Sequence, residues 1–419
     1  MKKRRLFMGL LSLTLAFGLA GCGSKGAKGD KGDKGDKGDK GDAGAAATQY
    51  YPVVFRDEEG FILDADYVEK GGNATYHIDT PSAGFYDKDG SWLGNYVFKG
   101  WDTSLENIQG PTTIKPIYSN YGRDEDKIYF GCYPQTIVND TDLEDELDDL
   151  AGDLPTSTDK KAWTDYNYYD SDQVKSYMYY QDIDYDDDGE YDYRGVYFTQ
   201  FRPSYTGATS ANSYQDDNGY DVNTVYWFEY KYIEWDVLEE KDGKALLYAN
   251  LILDNMEFYN SEADSKIDHN GGNGYPNNYE LSNVRKFLIE DFYNTAFDDL
   301  EKALLQEVTV DNSADSTGTP TNTYYCDDTD DKVFILSVKE VKTYFENESG
   351  RTTDGTDYAK CQGLAMSTTY SDTAAYIMLR STCNEDGGAN ICICDDETFG
   401  TYLMCDCSYG IRPVCWIIL

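Results

Sequence analysis

A mixed α+β architecture, built as two folded sections behind a non-globular N-terminal stalk, follows from three features of the 419-residue chain. Between Tyr50 and Tyr121, short apolar runs alternate with polar and turn-forming residues, the period of half-buried strands. From about Asp124 to Leu419, strand-like runs are interleaved with stretches of helical period. From Gly23 to Gly44, glycine occupies every third position, a pattern with no apolar face to bury. Hydrophobic residues make up 40% of the chain, so the two later sections have the material for real cores.

Charge limits the function classes. Lys+Arg number 36 against 77 Asp+Glu, a formal net charge of −41. No nucleic-acid partner is expected, because phosphate-backbone affinity comes from clustered Lys and Arg releasing counterions. His77 and His269 are the two histidines, too few for multi-His metal sites and unpromising for a histidine triad.

Residues 1–21 form a basic start, Lys2-Lys3-Arg4-Arg5, and an apolar run from Leu6 to Ala20, too short for a comfortable membrane span. The run ends in Leu19-Ala20-Gly21-Cys22, which resembles the lipobox of bacterial lipoproteins. The resemblance implies cleavage before Cys22, diacylglycerol attachment at Cys22, and a protein anchored to the bacterial cell membrane on its extracytoplasmic face. No later apolar stretch approaches 18 residues, so the rest is expected outside the bilayer.

Residues 22–49 are the anchor and spacer. Gly23, Gly26, Gly29, Gly32, Gly35, Gly38, Gly41 and Gly44 keep strict period three, with Gly-Asp-Lys repeated in the middle. This resembles collagen-like segments of bacterial surface proteins, where only glycine fits the axis of three packed chains. Two readings stay open: a homotrimer through this segment, and a nearly neutral flexible spacer. The segment lacks proline between Gly23 and Thr48, which removes the usual preorganisation. Extended at about 3.1 Å per residue, it reaches roughly 70 Å.

Residues 50–121 open with Val53-Val54-Phe55, a turn at Asp57-Glu58-Glu59-Gly60 and a returning Phe61-Ile62-Leu63, a hairpin signature. The three acids read as a solvated turn rather than a metal site. Tyr96-Val97-Phe98-Lys99-Gly100-Trp101-Asp102 and Thr113-Ile114-Lys115-Pro116-Ile117-Tyr118 follow. This order resembles the Listeria-Bacteroides (internalin B-type) repeat, which implies a small β-grasp-like module acting as a spacer or protein-contact unit.

Residues 122–419 read as one larger α+β domain. Leu143, Leu147 and Leu150 mark a short acidic helix from Thr141. Strands are expected at Ile128–Gln135, Ile233–Leu238 with Ala245–Leu247, and Val333–Leu336. Val284, Phe287 and Leu288 give the apolar face of a helix beginning near Ser282, and a second short helix is expected around Phe297, Leu300 and Leu304. Ser337 with Glu340 reads as a capping box. These blocks, with Tyr193-Arg194-Gly195-Val196-Tyr197-Phe198, Phe201-Arg202-Pro203, Met378-Leu379-Arg380-Ser381 and Gly410-Ile411-Arg412-Pro413, resemble the domain-of-unknown-function family numbered 6273, found in exported proteins of gut anaerobes. Its terminal pattern is in turn similar to C-type-lectin-like and formylglycine-generating folds, an analogy of fold alone.

Three constellations carry chemistry. In Asp182-Ile183-Asp184-Tyr185-Asp186-Asp187-Asp188-Gly189-Glu190-Tyr191-Asp192, the carboxylates of Asp184, Asp186 and Asp188 alternate, Gly189 permits a sharp turn, Glu190 offers its carbonyl and Asp192 closes the loop. That is the first half of a calcium loop, but the twelfth position from Asp184 is Gly195, so an EF-hand is disfavoured. A short calcium loop and an acidic hairpin tip remain. Cys392-x-Cys394 and Cys405-x-Cys407 place four sulfurs on one face if a hairpin joins them, leaving structural zinc, disulfides and buried small residues as readings. Without Cys22, nine of the ten cysteines remain, an odd number that excludes a complete intrachain disulfide set. The third constellation is carboxylate abundance beside tyrosine-rich stretches such as Tyr166 to Tyr180, which invites a glycan-acting hydrolase, although nothing selects a catalytic pair. Arg194, Arg202, Arg285, Arg380 and Arg412 read as internal ion-pair partners. The expectation is a cell-surface binding or adhesion lipoprotein with an unidentified protein or glycan ligand; a hydrolase and a structural envelope component are the alternatives.

Overall fold

The computed structural model describes residues 47–156, 158–166, 177–202, 214–259, 275–345, 350–366, 375–383, 390–394, 399–404 and 408–419. Cys22, the Gly-x-y run, Cys405 and Cys407 lie outside the described residues. The chain divides into two compact units. The described part of the smaller is residues 47–84 with Phe98–Tyr118; the larger comprises Phe85–Val97 and Ser119–Leu419. No helix among the described residues is long and apolar enough to cross a membrane.

In the smaller unit, strand Tyr50–Arg56 pairs antiparallel with Ile62–Glu69 and parallel with Thr112–Ile114. The alternation seen in the sequence places Val53 and Phe55 inward, where they join Val68, Ala74, Ile108 and Ile114. Phe55, Tyr76 and Trp101 pack mutually, with ring centroids 4.9 to 5.0 Å apart. Asp57 serves the turn: its carboxylate accepts the Phe61 N–H at 2.8 Å, and its own N–H donates to the Phe61 carbonyl.

The larger unit is organised by one long strand, Val225–Lys241. Its first part pairs with Tyr193–Phe198, its middle with Lys127–Ile137 and its end with Lys244–Ala249, all antiparallel. Register shifts at Glu229/Tyr230, Tyr232/Glu234 and Val237/Glu239 let one strand bend to serve these neighbours. The sheet continues through Val414–Ile418 to Leu305–Gln306 on one side. On the other, within this unit, it continues through residues 119–124 and 92–97 to 85–86. A second sheet has the order Asp254–Glu257, Ser408–Ile411, Ile377–Thr382, Asn390–Cys394, Phe399–Met404.

Aromatic residues fill the core. Trp235 is fully buried, stacks on Phe130 at 5.4 Å and donates its indole N–H to the Phe130 carbonyl. Trp227 lies against Gly195 across the strand pair, where a Cβ would come within 2.7 Å of the indole ring, so only glycine fits without a shift. Helix Thr141–Ala151 starts at an Asp140 cap and buries Leu147 and Ala151, while Leu150 points to solvent. The expected helix is present, and of the positions three and four beyond Leu147 it is Ala151 that falls on the buried face.

Caps set the other helix starts. Ser282 accepts the Arg285 N–H to open Asn283–Phe287, and Ser337 with Glu340 forms a full capping box for Val338–Tyr344. The short helix expected around Phe297 is Asp299–Lys302, opened by a second box, Asp298 with Glu301. Strand pairing in the Val333–Leu336 run covers Val333–Phe334. Tyr166 and Tyr179 are core residues rather than an aromatic surface, and residues 167–176 lie outside the described residues.

Candidate functional site

Strands Met178–Ile183 and Tyr193–Phe198 run antiparallel, so the acidic segment 184–192 is the connection of a hairpin. Positive φ at Asp187 (58°) and Gly189 (94°) supplies the reversal. The carboxylates of Asp184, Asp186 and Asp188 converge, with oxygens within 4.8 Å of one another. Asp184 also accepts the N–H groups of Asp188 and Gly189, at 3.1 and 2.8 Å, so the loop is held by its own side chain. Oxygens at that spacing match a Ca²⁺ with bonds of about 2.3–2.6 Å. Asp192 is engaged elsewhere: one oxygen accepts from Lys88 at 2.7 Å and the other from the Tyr185 N–H at 2.8 Å. Of the five expected ligands, the three alternating aspartates are brought together as a group.

Beside this loop, within the larger unit, lies an open cleft of about 230 Å³. Three segments far apart in sequence line it: the turn at Asp87, Lys88 and Asp89; the hairpin residues Tyr185, Asp186, Asp192 and Tyr193; and Glu229, Tyr230 and Lys231 on the long strand. Lys88 donates to Asp192 and to the Tyr191 carbonyl, both at 2.7 Å. Burial works against its charge, but Asp192 outweighs burial and raises the Lys88 pKa. Lys231 sits 3.2 Å from Asp89, 3.3 Å from Glu229 and 3.9 Å from Asp87. Its pKa is likewise raised, these carboxylates overcoming desolvation. Burial pushes the Asp87 carboxyl above its ordinary value.

A buried polar chain anchors the cleft from below. The Tyr230 hydroxyl donates to Asp182 at 2.9 Å, and Arg194 grips the same carboxylate through two bonds of 2.7 and 2.8 Å. Arg194 also lies 4.4 Å over the Tyr180 ring and donates to the Tyr358 hydroxyl. Tyr358 and Tyr166 share a hydroxyl contact at 3.1 Å, and Gln362 donates to Tyr166. Arg202 donates to the Gln362 carbonyl at 2.9 Å. The other arginines take internal carboxylates: Arg285 on Asp331, Arg380 on Glu340 and Arg412 on Asp236.

Asp254 is the deepest carboxyl of this region. It accepts the Tyr133 hydroxyl at 2.6 Å and the Asn255 N–H at 2.7 Å, yet burial dominates and its pKa is pushed up to about 6. A carboxyl with a pKa raised toward neutrality has the chemistry of a general acid or base, but Asp254 is 1% exposed.

Cys392 and Cys394 lie on strand Asn390–Cys394, paired with Phe399–Met404; their would-be partners Cys405 and Cys407 lie outside the described residues. Cys132, Cys326, Cys361, Cys383 and Cys415 are free thiols, and burial raises the pKa of Cys132, Cys326, Cys361 and Cys415. Reading the sequence alone missed Lys88, Lys231, Asp87, Asp89, Glu229 and Tyr230, which carry no local motif and meet only through strand order.

No curated protein and no solved structure matches the chain. The blocks at 128–135 and 193–203, and every residue lining the cleft, precede the region of family similarity. That similarity is confined to residues 242–419, less than half of the chain, which match the family model described as a domain of unknown function, DUF6273.

Proposed function

We propose that this protein is a non-enzymatic binding or adhesion lipoprotein of the bacterial cell surface. Lipidated Cys22 tethers it to the extracytoplasmic face of the membrane, and the Gly-x-y segment carries the folded units outward as a spacer. The smaller unit is a β-grasp-like spacer module, a reading supported by the parallel pairing of Tyr50–Arg56 with Thr112–Ile114. The larger unit holds the ligand, a surface protein or a glycan, in the cleft beside the acidic hairpin.

The observation that carries this reading is the cleft itself. It combines tyrosine faces with polar groups already fixed by ion pairs, so little side-chain freedom is lost on binding. In this reading Asp184, Asp186 and Asp188 hold Ca²⁺, which neutralises their mutual repulsion and stiffens the hairpin forming one wall of the cleft. Millimolar calcium outside the cell suffices for a weak site.

The test is a binding screen of the full-chain protein against glycan and surface-protein panels, with product analysis on every hit. Binding without turnover that weakens at least tenfold in Tyr193→Ala is the expected result. Ligand conversion abolished by one carboxylate substitution would instead make the protein a hydrolase. Absence of any ligand, together with an envelope defect on deletion, would make it a structural component.

A further inference from the structure

The cleft of the larger unit has a sign. Leaving out Asp186, which the proposed calcium site takes, its lining carries four carboxylates against two ammonium groups, a net charge of −2 when all are ionised. Both ammonium groups are engaged: Lys88 by Asp192 and the Tyr191 carbonyl, Lys231 by three carboxylates. An anionic ligand would therefore meet lysines that are already neutralised and carboxylates that repel it. An organic cation meets the reverse. Tyr185, Tyr193 and Tyr230 line the same cleft, Tyr185 and Tyr193 edge to face at 5.7 Å, while the Tyr230 ring already has the Arg194 guanidinium 5.7 Å from its centroid. Aromatic faces attract ammonium and guanidinium groups, and an adjacent carboxylate completes the pairing.

Resting on the reading of this cleft as the ligand seat, we propose that its ligand is a basic segment of a partner protein, with one lysine or arginine side chain entering the cleft beside the tyrosines. A volume of about 230 Å³ suits a single long side chain rather than a folded element. A protein partner, rather than an amino sugar, follows from charge beyond the cleft. From Ala45 onward the chain holds 26 basic and 72 acidic residues, a net charge of −46. That field attracts several cationic residues along a segment, each within about 8 Å of the surface at physiological salt. A lone amino sugar gains from one contact only.

The experiment uses the full-chain protein in 150 mM NaCl with EDTA. Probes are an acetylated, amidated Lys-Gly repeat decapeptide, its Gln-Gly counterpart, a deacetylated chitosan tetramer and a neutral oligosaccharide panel. The Lys-Gly peptide is expected to bind and the Gln-Gly peptide not to. The double variant Asp89→Asn/Glu229→Gln weakens binding at least tenfold, and Tyr185→Leu about threefold. Asp145→Asn/Asp149→Asn makes the same charge change on exposed positions of helix Thr141–Ala151 and shifts affinity less than twofold. Equal losses in the two double variants would reduce the effect to diffuse charge and overturn the proposal. Chitosan binding that depends on the cleft, without peptide binding, would overturn the protein partner; cleft-dependent binding of a neutral oligosaccharide would overturn the cation. Both of those outcomes leave the cleft as the ligand seat. Binding by no probe, or binding that no cleft substitution alters, would remove the seat as well.

Discussion

Asp254 illustrates how single residues in this molecule trade solvation against contact. Two donors, the Tyr133 hydroxyl and the Asn255 N–H, favour its ionised form, but near-complete burial outweighs both and its pKa rises to about 6. The folded state therefore binds this proton more tightly than the unfolded chain, whose Asp titrates near 3.8. Its contribution to stability is fully present below pH 3.8 and is lost as pH rises through 6. Two pKa units correspond to about 3 kcal/mol. Asp254→Asn removes the titration, so the stability of the wild type relative to the variant should fall by about that amount between pH 4 and pH 7. Urea unfolding of both proteins at unit pH steps measures it. A stability difference that stays flat with pH would mean that Asp254 ionises without cost. Arg194 shows the opposite balance: it is equally buried, but its bidentate grip on Asp182 keeps the guanidinium charged.

At the scale of elements, legibility followed locality. The Ser337–Glu340 box, the Ser282 cap, the Thr141 helix and the 53–63 hairpin could be read because their determinants lie within a few residues of one another. Val225–Lys241 was visible only as a fragment from Ile233, since its earlier half reads as an aromatic run whose three register shifts have no sequence mark. The cleft was illegible for the same reason: Lys88, Asp192 and Lys231 are brought together by strand order. The segment Phe85–Val97 joins the larger unit through contacts such as Phe85 on Tyr232, 4.7 Å between ring centroids, which no local pattern encodes. The acidic hairpin was legible in composition and position, though not in the diversion of Asp192 to Lys88. With Asp184, Asp186 and Asp188 as ligands and a dissociation constant of about 10⁻⁴ to 10⁻³ M, 10 mM Ca²⁺ should stabilise the protein by about 1.4 to 2.7 kcal/mol. Differential scanning calorimetry should show Tm rising by several degrees with calcium, returning with EDTA, and unresponsive in Asp184→Asn/Asp188→Asn. A Tm indifferent to both calcium and EDTA in the wild type would leave the hairpin an acidic tip held by its own hydrogen bonds.

For the molecule as a whole, the decisive quantity is where the charge sits. The spacer from Gly23 to Gly44 has six Lys and five Asp and is nearly neutral, so the net charge of −46 belongs to the chain from Ala45 onward. Such a head is repelled by anionic lipid within about a Debye length, roughly 8 Å at physiological salt. Under the proposed anchoring, membrane residence comes from the lipid alone. Each buried CH₂ contributes about 0.8 kcal/mol, and two acyl chains are enough for stable anchoring against that repulsion. On the same proposal, a Gly-x-y spacer of roughly 70 Å when extended would keep the head beyond the range of the repulsive field. The prediction is accordingly sharp in its salt dependence. In cell fractionation the wild-type protein should stay with membranes through a 1 M NaCl wash and leave them in detergent, because hydrophobic anchoring is not screened by salt. Cys22→Ala should fail to incorporate the labelled fatty acid that the wild type takes up, since the thioether needs the Cys22 sulfur. Release of the wild type by the salt wash would point to an electrostatic contact through the spacer lysines instead of a lipid anchor. Label incorporated by Cys22→Ala would place the acyl chains elsewhere in the chain and displace Cys22 as the attachment point.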